Sequence, residues 1–115
     1  MAEERTTKAT VKKQIVITAQ ATEFIYAQPL TVIARFMALI KTLEADGRIV
    51  PPDGKKIDAE LFEMRVKAEG GQYRAFYCYA LGNIIYVLSG FVKKTQKTPP
   101  QEIKKAHAIM KGLGL

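Results

Sequence analysis

Three strand-like segments separated by short glycine-containing turns restrict what this chain can fold into. Residues 61–68 (LFEMRVKA) alternate apolar and charged side chains, residues 73–80 (YRAFYCYA) are rich in aromatic residues, and residues 83–91 (NIIYVLSGF) are apolar on both faces. Gly70-Gly71 and Gly82-Asn83 lie between these segments, and such pairs are typical of β-hairpin turns. The sequence therefore predicts a three-stranded antiparallel meander whose last strand lies in the centre of a sheet.

The segment before the meander predicts one more strand and at least one helix. Residues 11–19 (VKKQIVITA) have the β-branched content of a strand, and residues 22–29 (TEFIYAQP) predict a short helical turn. A helical period runs from Pro29 to Ala45, and Asp46-Gly47 is a typical helix end. The apolar stripe of that helix comprises Val32, Phe36, Leu39 and Leu43, widened by Ile33 and Ile40.

The remaining segments complete an α+β prediction. Residues 48–56 (RIVPPDGKK) are interpreted as a loop, because Pro-Pro and Asp-Gly both interrupt regular structure. Residues 101–111 predict a short amphipathic helix with Ile103, Ala106 and Met110 on one side, and Pro99-Pro100 set where it starts. The order of strand, helix, meander and helix predicts helices packed on one sheet.

Length and composition indicate one cytoplasmic domain. The 115 residues are 48% apolar and 25% charged, so we expect residues 1–115 to form a single domain with residues 1–10 as a flexible tail. No apolar run is long enough for a spanning helix, and the polar first residues do not resemble a secretory signal. Cys78 is the only cysteine, expected to be buried, and no zinc-binding pattern is present, so neither a metal nor another cofactor is expected.

The positive charge is concentrated in the second half of the chain. Residues 1–54 carry seven Lys/Arg against six Asp/Glu, whereas residues 55–115 carry eleven against five. A basic half of a small domain indicates a polyanionic partner, most commonly nucleic acid. The alternative is a basic protein whose charge serves only solubility, and composition does not separate the two.

Strand pairing predicts where the basic residues meet. If Gly82-Asn83 is a two-residue turn, Arg74 faces Phe91, Phe76 faces Ser89 and Gln72 faces Lys93. If Gly70-Gly71 is the other turn, Arg65 faces Phe76 and Lys67 faces Arg74. Directly paired residues share a face of the sheet, as do residues two apart. One face is then expected to carry Arg65, Lys67, Arg74, Ser89 and Lys93, with Glu63 at its edge.

Such a face suits an RNA strand. Arginine and lysine bind phosphate oxygens, and Phe76 and Phe91 on the same face are expected to offer an aromatic surface for an unstacked base. The alternative is a solvated face whose lysines keep the sheet soluble. A bulge in either strand would move some members to the other face.

Motifs of the usual catalytic machinery are absent from the sequence. It contains no GxSxG, no P-loop and no carboxylate cluster with metal spacing. The single histidine, His107, is interpreted as a half-exposed helix residue rather than a catalytic one. Any chemistry is therefore expected to depend on Lys, Arg, Glu and hydroxyl groups.

The stretch ELFEMRV…GGQYRAFYCYALGNIIYVLSGFVKKTQKTPPQEIKKA resembles the RelE/HigB toxin superfamily, particularly its phage-derived HigB-like branch. The matching motifs are Glu63-Met64-Arg65, Gly71 to Tyr77 and Gly90 to Pro99, within a likeness that covers roughly residues 12–111. The resemblance implies a small curved antiparallel sheet of about four strands, with N-terminal helices on one face, a short C-terminal helix, and the active site on the other face. It implies a cytoplasmic toxin that cuts mRNA on the ribosome without a metal ion, and a cognate helix-turn-helix antitoxin.

The resemblance also implies roles for individual residues. Arg74 matches a phosphate-clamping arginine, and Arg65 matches a second clamp or a support for it. Lys93 or Lys94 is expected to protonate the leaving group, and Glu63 is one candidate base. The expected RNA contacts are Lys67, Ser89, Phe91, Thr95 and Lys97.

One departure bears on the catalytic base. Ser89 stands where the branch usually has a histidine, so an imidazole base is missing. The catalytic base is then Glu63 or a lysine of lowered pKa, or the reaction proceeds without a base. The alternatives to a nuclease are a catalytically inactive member that binds nucleic acid or an antitoxin, and a ParE-like gyrase inhibitor. The KKTQKTP segment argues against the latter.

Overall fold

A computed structural model describes residues 12–68 and 70–115, which form a five-stranded sheet and three helices. The expected tail, residues 1–10, lies outside the described residues. The elements are β1 (Gln14–Ile17), α1 (Ala19–Tyr26), α2 (Leu30–Asp46), β2 (Gly54–Lys56), β3 (Phe62–Ala68), β4 (Gly71–Ala80), β5 (Ile84–Lys93) and α3 (Pro100–Gly112). The strand order is β1-β5-β4-β3-β2, with β1 parallel to β5 and every other pair antiparallel.

The sequence-based assignment is confirmed for the α+β class and the meander, and it differs in two elements. The segment 48–56, interpreted as a loop, ends in the short strand β2, so the sheet has five strands rather than about four. The turn predicted at 22–29 belongs to an eight-residue helix that begins at Ala19. Thr18 starts this helix, because its hydroxyl accepts a hydrogen bond from the N–H of Ala21 at 3.1 Å.

Helix α2 ends where the sequence predicts. Gly47 has a left-handed backbone (φ 77°), and its N–H donates to the carbonyl of Leu43 at 2.9 Å. Glycine adopts this conformation without the steric cost that a side chain would bring. Four of the six predicted apolar residues are buried, whereas Ile33 and Leu39 are only partly buried.

The register between β3 and β4 differs from the prediction by two residues. Arg65 faces Arg74 directly and Lys67 faces Gln72, because Ala68 pairs with Gly71, a residue that the prediction placed in the turn. A shift by two residues preserves the face on which each side chain lies. Arg65, Lys67 and Arg74 therefore share a face, as expected.

Two deviations between β4 and β5 compensate each other. The connecting loop has three residues, because Ala80 rather than Leu81 pairs with Ile84. The register then shifts between Phe76 and Tyr77, where Leu88 forms a bulge in β5. Beyond the bulge Arg74 faces Phe91 and Gln72 faces Lys93, which confirms these predicted pairs.

Helices cover both faces of the sheet. Helices α1 and α2 pack on the face that carries Met64, Val66, Tyr77, Ile85 and Val87. Helix α3 packs through Ala106 and Met110 on the opposite face, in a second cluster that contains Phe76, Cys78, Leu88 and Phe91. Cys78 is buried, as predicted, and burial raises the pKa of its thiol to about 11. None of the helices in the described ranges is long and apolar enough to cross a membrane.

The packing of α3 overturns the expected aromatic platform. Phe76 is 0% exposed and Phe91 is 7% exposed, and their rings contact each other with centroids 5.5 Å apart. An RNA base cannot stack on rings that are covered by a helix. The strand alternation placed both residues on the correct face, but it carried no information about what covers that face.

Candidate active site

A fully buried carboxylate, Glu63, organises the basic face. It lies on β3 with 0% exposure, not at the edge as expected, and its Oε1 accepts a hydrogen bond from Arg65 Nε at 3.1 Å. The Nε of Arg74 lies 3.6 Å from the same oxygen, and the hydroxyl of Thr98 donates to Oε2 at 3.2 Å. A buried carboxylate needs such partners, because water is not available to solvate it. Glu63 thus holds two guanidinium groups and the end of the β5–α3 loop together.

Arg74 is positioned from several sides. It is 5% exposed, its Nη2 donates to Gln72 Oε1 at 2.8 Å, and its Nη1 donates to the carbonyl of Tyr73 at 3.4 Å. Burial lowers the pKa of Arg74, the charge of Glu63 opposes this effect, and the charge of Arg65 adds to it. Two guanidinium groups thus share one carboxylate, which leaves positive charge for an anionic ligand.

Three lysines line a pocket of about 270 Å³ beside this cluster. Lys93 ends β5, Lys97 comes from the β5–α3 loop, and Lys55 comes from β2. Burial lowers the pKa of Lys93, and the positive charges of Arg74, Arg65 and Lys55 lower it further, while Glu63 acts in the opposite direction. Together with Thr98, these side chains make a cavity that suits a phosphate group. We call it the lysine pocket.

Sequence reasoning missed Lys55. The residue lies in the segment interpreted as a loop, and in the structure it pairs with Glu63 in the register between β2 and β3. If the sequence had indicated that the segment GKK (residues 54–56) pairs with β3, Lys55 would have been predicted on the basic face. The neighbouring residues Pro51-Pro52 and Asp53-Gly54 indicated only an interruption, so no local pattern identified the strand.

A family model of phage-derived Gp49-like proteins matches residues 23–111, which include this whole constellation. The chain belongs to the Gp49-like family. This assignment agrees with the phage-derived branch of the RelE superfamily that the motifs resemble. No curated protein matches the sequence of this Gp49-like chain significantly.

The fold of the Gp49-like protein is that of RelE toxins. A doubly substituted RelE toxin from E. coli, in the free state, superposes with a TM-score of 0.59 at 11% identity, over 90% of this chain and 99% of that one. The RelE–RelB complex of Pyrococcus horikoshii gives 0.53 at 20% identity, over 70% and 94% of the two chains. The toxin–antitoxin complex RelBE2 of Mycobacterium tuberculosis gives 0.52 at 18% identity, over 72% and 100%.

Three other predicted site residues, Lys94, Thr95 and Lys67, lie outside the lysine pocket. Lys94 and Thr95 are exposed in the loop, and the Thr95 hydroxyl donates to the carbonyl of Lys97 at 2.7 Å, which shapes that loop. Lys94 does not line the lysine pocket. Lys67 is exposed and lines a different groove, next to α2.

Ser89 does not reach the surface of the site. It is 1% exposed, and within the described chain its hydroxyl has no hydrogen-bond partner. Phe91 is 7% exposed and packs in one cluster with Ala106 and Met110 of α3. The burial of both side chains argues against direct contact with RNA, and the two contacts stay predictions.

The single histidine contacts a carboxylate of the β2–β3 loop and does not line the lysine pocket. His107 on α3 is about one-third exposed, and its Nε2 lies 2.8 Å from Asp58 Oδ2. Partial burial acts to raise the pKa of Asp58, but hydrogen bonds from His107 and from the N–H groups of Glu60 and Leu61 outweigh it and lower that pKa. This contact fastens α3 to the β2–β3 loop. Among the residues that the structure describes, no group of three or more His, Cys, Asp or Glu side chains is placed to hold a metal ion.

Proposed function

We propose that this Gp49-like protein is the toxin of a toxin–antitoxin module and cleaves mRNA on the ribosome without a metal ion. The observation that carries the proposal is the joining of Arg65 and Arg74 to one buried carboxylate, Glu63, next to the lysine pocket. The fold supports it, because similar structures are named as RelE toxins and as RelE–RelB complexes. The partner is then an antitoxin, for which we propose the helix-turn-helix type.

The arrangement suits cleavage by the adjacent ribose hydroxyl. The 2′-oxygen attacks phosphorus and the bond to the 5′-oxygen breaks, which leaves a 2′,3′-cyclic phosphate and a 5′-hydroxyl. Arg74 and Arg65 stabilise the negative charge that develops on the non-bridging oxygens. Lys93, whose pKa is lowered, donates its proton to the departing 5′-oxygen.

Glu63 is a positioning residue in this mechanism. Its two oxygens are engaged by Arg65, Arg74 and Thr98, and no part of it is exposed, so it cannot contact a ribose hydroxyl. The 2′-hydroxyl proton passes to water, and the alignment of the 2′-oxygen, phosphorus and 5′-oxygen supplies much of the acceleration.

Controlled expression in a bacterial host tests the proposal. Wild type, Arg74→Ala and the double variant Lys93→Ala/Lys97→Ala are compared by growth and by primer extension on an abundant transcript. The control is Lys41→Ala, an exposed lysine on α2 that does not line the lysine pocket. Wild type and the control should arrest growth and create new in-frame mRNA ends, whereas the other two should not.

The double variant separates a loss of activity from a loss of the fold. Arg74 is buried, so its replacement can unfold the protein, whereas Lys97 is exposed and Lys93 is partly exposed. Thermal unfolding of each purified variant shows whether it is folded. A folded, abundant wild-type protein that neither cleaves mRNA nor arrests growth would contradict the proposal. The inactive nucleic-acid-binding member would then be the better interpretation, favoured by the burial of Ser89 where the branch usually has histidine.

A further inference from the structure

We infer that a groove at the open edge of β3 binds the nucleotide next to the cleaved phosphate in single-stranded RNA. The groove has a volume of about 560 Å³ and lies between α2 and the ends of β3 and β4. This inference rests on the proposed nuclease function and adds a second binding position to it. We call this feature the edge groove.

The edge groove exists because β2 is short. Strand β2 pairs with β3 only as far as Met64, and one further hydrogen bond joins the N–H of Arg65 to the carbonyl of Asp53 at 2.8 Å. Beyond this point the space beside β3 is bordered by α2, whose Arg35 donates from Nη1 to the carbonyl of Lys67 at 3.1 Å. The groove therefore passes around the edge of the sheet from the α2 side to the basic face.

The charge of the edge groove suits a polyanion. Four cationic side chains line it, against one carboxylate, Asp53. The cations are Arg35, Arg65, Lys67 and Arg74. Phosphate contacts by arginine and lysine supply most of the affinity in nucleic-acid binding that does not depend on sequence.

The edge groove is continuous with the proposed catalytic cluster. Arg65 and Arg74 line it and also contact Glu63. A strand whose scissile phosphate lies on these arginines has its neighbouring nucleotide directed towards Arg35 and Lys67. The continuity distinguishes this groove from an isolated surface depression.

Apolar side chains give the edge groove a place for a base. Leu39 on α2, Val66 on β3 and Pro52 line it, and Leu39 is only partly buried although it belongs to the most apolar face of the helix. Gln72, which also lines the groove, is held by Arg74 at 2.8 Å. Apolar walls with cations around them match a flat base joined to a charged backbone.

The test measures binding of short RNA by fluorescence anisotropy. The probes are a fluorescein-labelled dinucleotide and hexanucleotide of 2′-O-methyl RNA, in which the attacking hydroxyl is blocked. Arg35→Glu is compared with Lys41→Glu, an equal charge reversal on the same helix outside the edge groove. Arg35→Glu should weaken hexanucleotide binding at least about fivefold and reduce its salt dependence. Dinucleotide binding should also weaken, because a dinucleotide already carries the nucleotide next to the phosphate, and Lys41→Glu should change the binding of neither probe.

Several results would overturn the inference. If Arg35→Glu binds the hexanucleotide like Lys41→Glu, the edge groove is not an RNA position, while loss of mRNA cleavage in Arg74→Ala would leave the proposed function standing. If Arg35→Glu keeps its RNA affinity and loses antitoxin binding, the groove docks a protein instead. If wild type binds neither probe and cleaves no mRNA in cells, both the inference and the proposed function fail.

Discussion

The hydroxyl of Thr98 donates a hydrogen bond of 3.2 Å to Oε2 of Glu63, across 35 residues of sequence. Through this contact the loop that carries Lys97 is fastened to the carboxylate that aligns Arg65 and Arg74. The two arginines and the lysine pocket therefore share one support. Changes at Thr98 and Glu63 should affect them together.

Replacement of Thr98 by valine removes the hydroxyl and keeps the shape of the side chain. We expect Thr98→Val to weaken RNA binding by about 1 kcal/mol, roughly fivefold, because the loop loses its hydrogen bond to Glu63. Thermal unfolding should also occur at a lower temperature, because Oε2 of the buried Glu63 loses its hydrogen-bond donor. Anisotropy with the hexanucleotide measures the effect, and Thr22→Val, an exposed threonine on α1, is the matched control. Equal affinities of the two variants would exclude a role for this hydrogen bond.

Neutralisation of Glu63 should destabilise the fold. Glu63→Gln leaves Arg65 and the buried Arg74 without their carboxylate, and breaking a buried ion pair typically costs about 3–5 kcal/mol. We expect at least about 2 kcal/mol, because Arg65 remains partly solvated, and urea unfolding at neutral pH measures it. Glu23→Gln, an exposed carboxylate on α1, should unfold like wild type. A free energy of unfolding that Glu63→Gln leaves unchanged would show that the two arginines do not need this partner.

The lowered pKa of Lys93 predicts a pH dependence of cleavage. Burial is its largest cause, followed by the charge of Arg74. A lysine that donates a proton loses activity as pH rises through its pKa, so activity should decline below the ordinary lysine value of 10.5. In Lys93→Arg the guanidinium stays protonated, so the alkaline decline should move to higher pH.

Cleavage of a programmed ribosomal complex between about pH 7 and pH 10 measures this shift. Lys104→Arg, an exposed lysine on α3, should keep the wild-type profile. A shift caused by Lys94→Arg and absent from Lys93→Arg would transfer the proton-donor role to Lys94.

Gly90 is a position where a methyl group has no room. A Cβ there would clash with the ring of Phe24 on α1 and lie 2.9 Å from the carbonyl oxygen of Arg74. Gly90→Ala should lower the free energy of unfolding by about 1–3 kcal/mol, because the core must shift to admit the methyl group. Gly112→Ala is the matched control, since a Cβ at Gly112 meets no atom within 4 Å. Equal urea midpoints of the two variants would contradict the close approach of Phe24.

Much of the fold follows from local patterns. Alternation in β3 assigned Glu63, Arg65 and Lys67 to one face, and this assignment is independent of the two-residue error in register. The end of α2 at Gly47 was also predicted from local sequence, because glycine readily adopts the left-handed conformation found there. The KKTQKTPP stretch is confirmed as the connection from the last strand to α3, although its phosphate contacts stay a prediction.

The register between β4 and β5 shows where local patterns reach their limit. The turn was predicted one residue too short, and the bulge at Leu88 restored the expected pairs by compensation. Neither deviation has a distinctive local sequence, because a bulge is stabilised by the packing on both faces of the sheet. The predicted pairing of Arg74 with Phe91 is therefore correct only because the missed loop residue and the missed bulge shift the register in opposite directions.

The strands of the meander, the longest helix and the face of the basic residues can be predicted from local sequence, since they depend on side-chain period and backbone preference within a few residues. The tertiary structure decided which of those residues are accessible. Helix α3 packs against Phe91, and Ser89 lies beneath the surface, whereas the short pairing of β2 brings Lys55 to the lysine pocket. Burial depends on contacts between segments far apart in the chain, and their free energy is not encoded in any one segment.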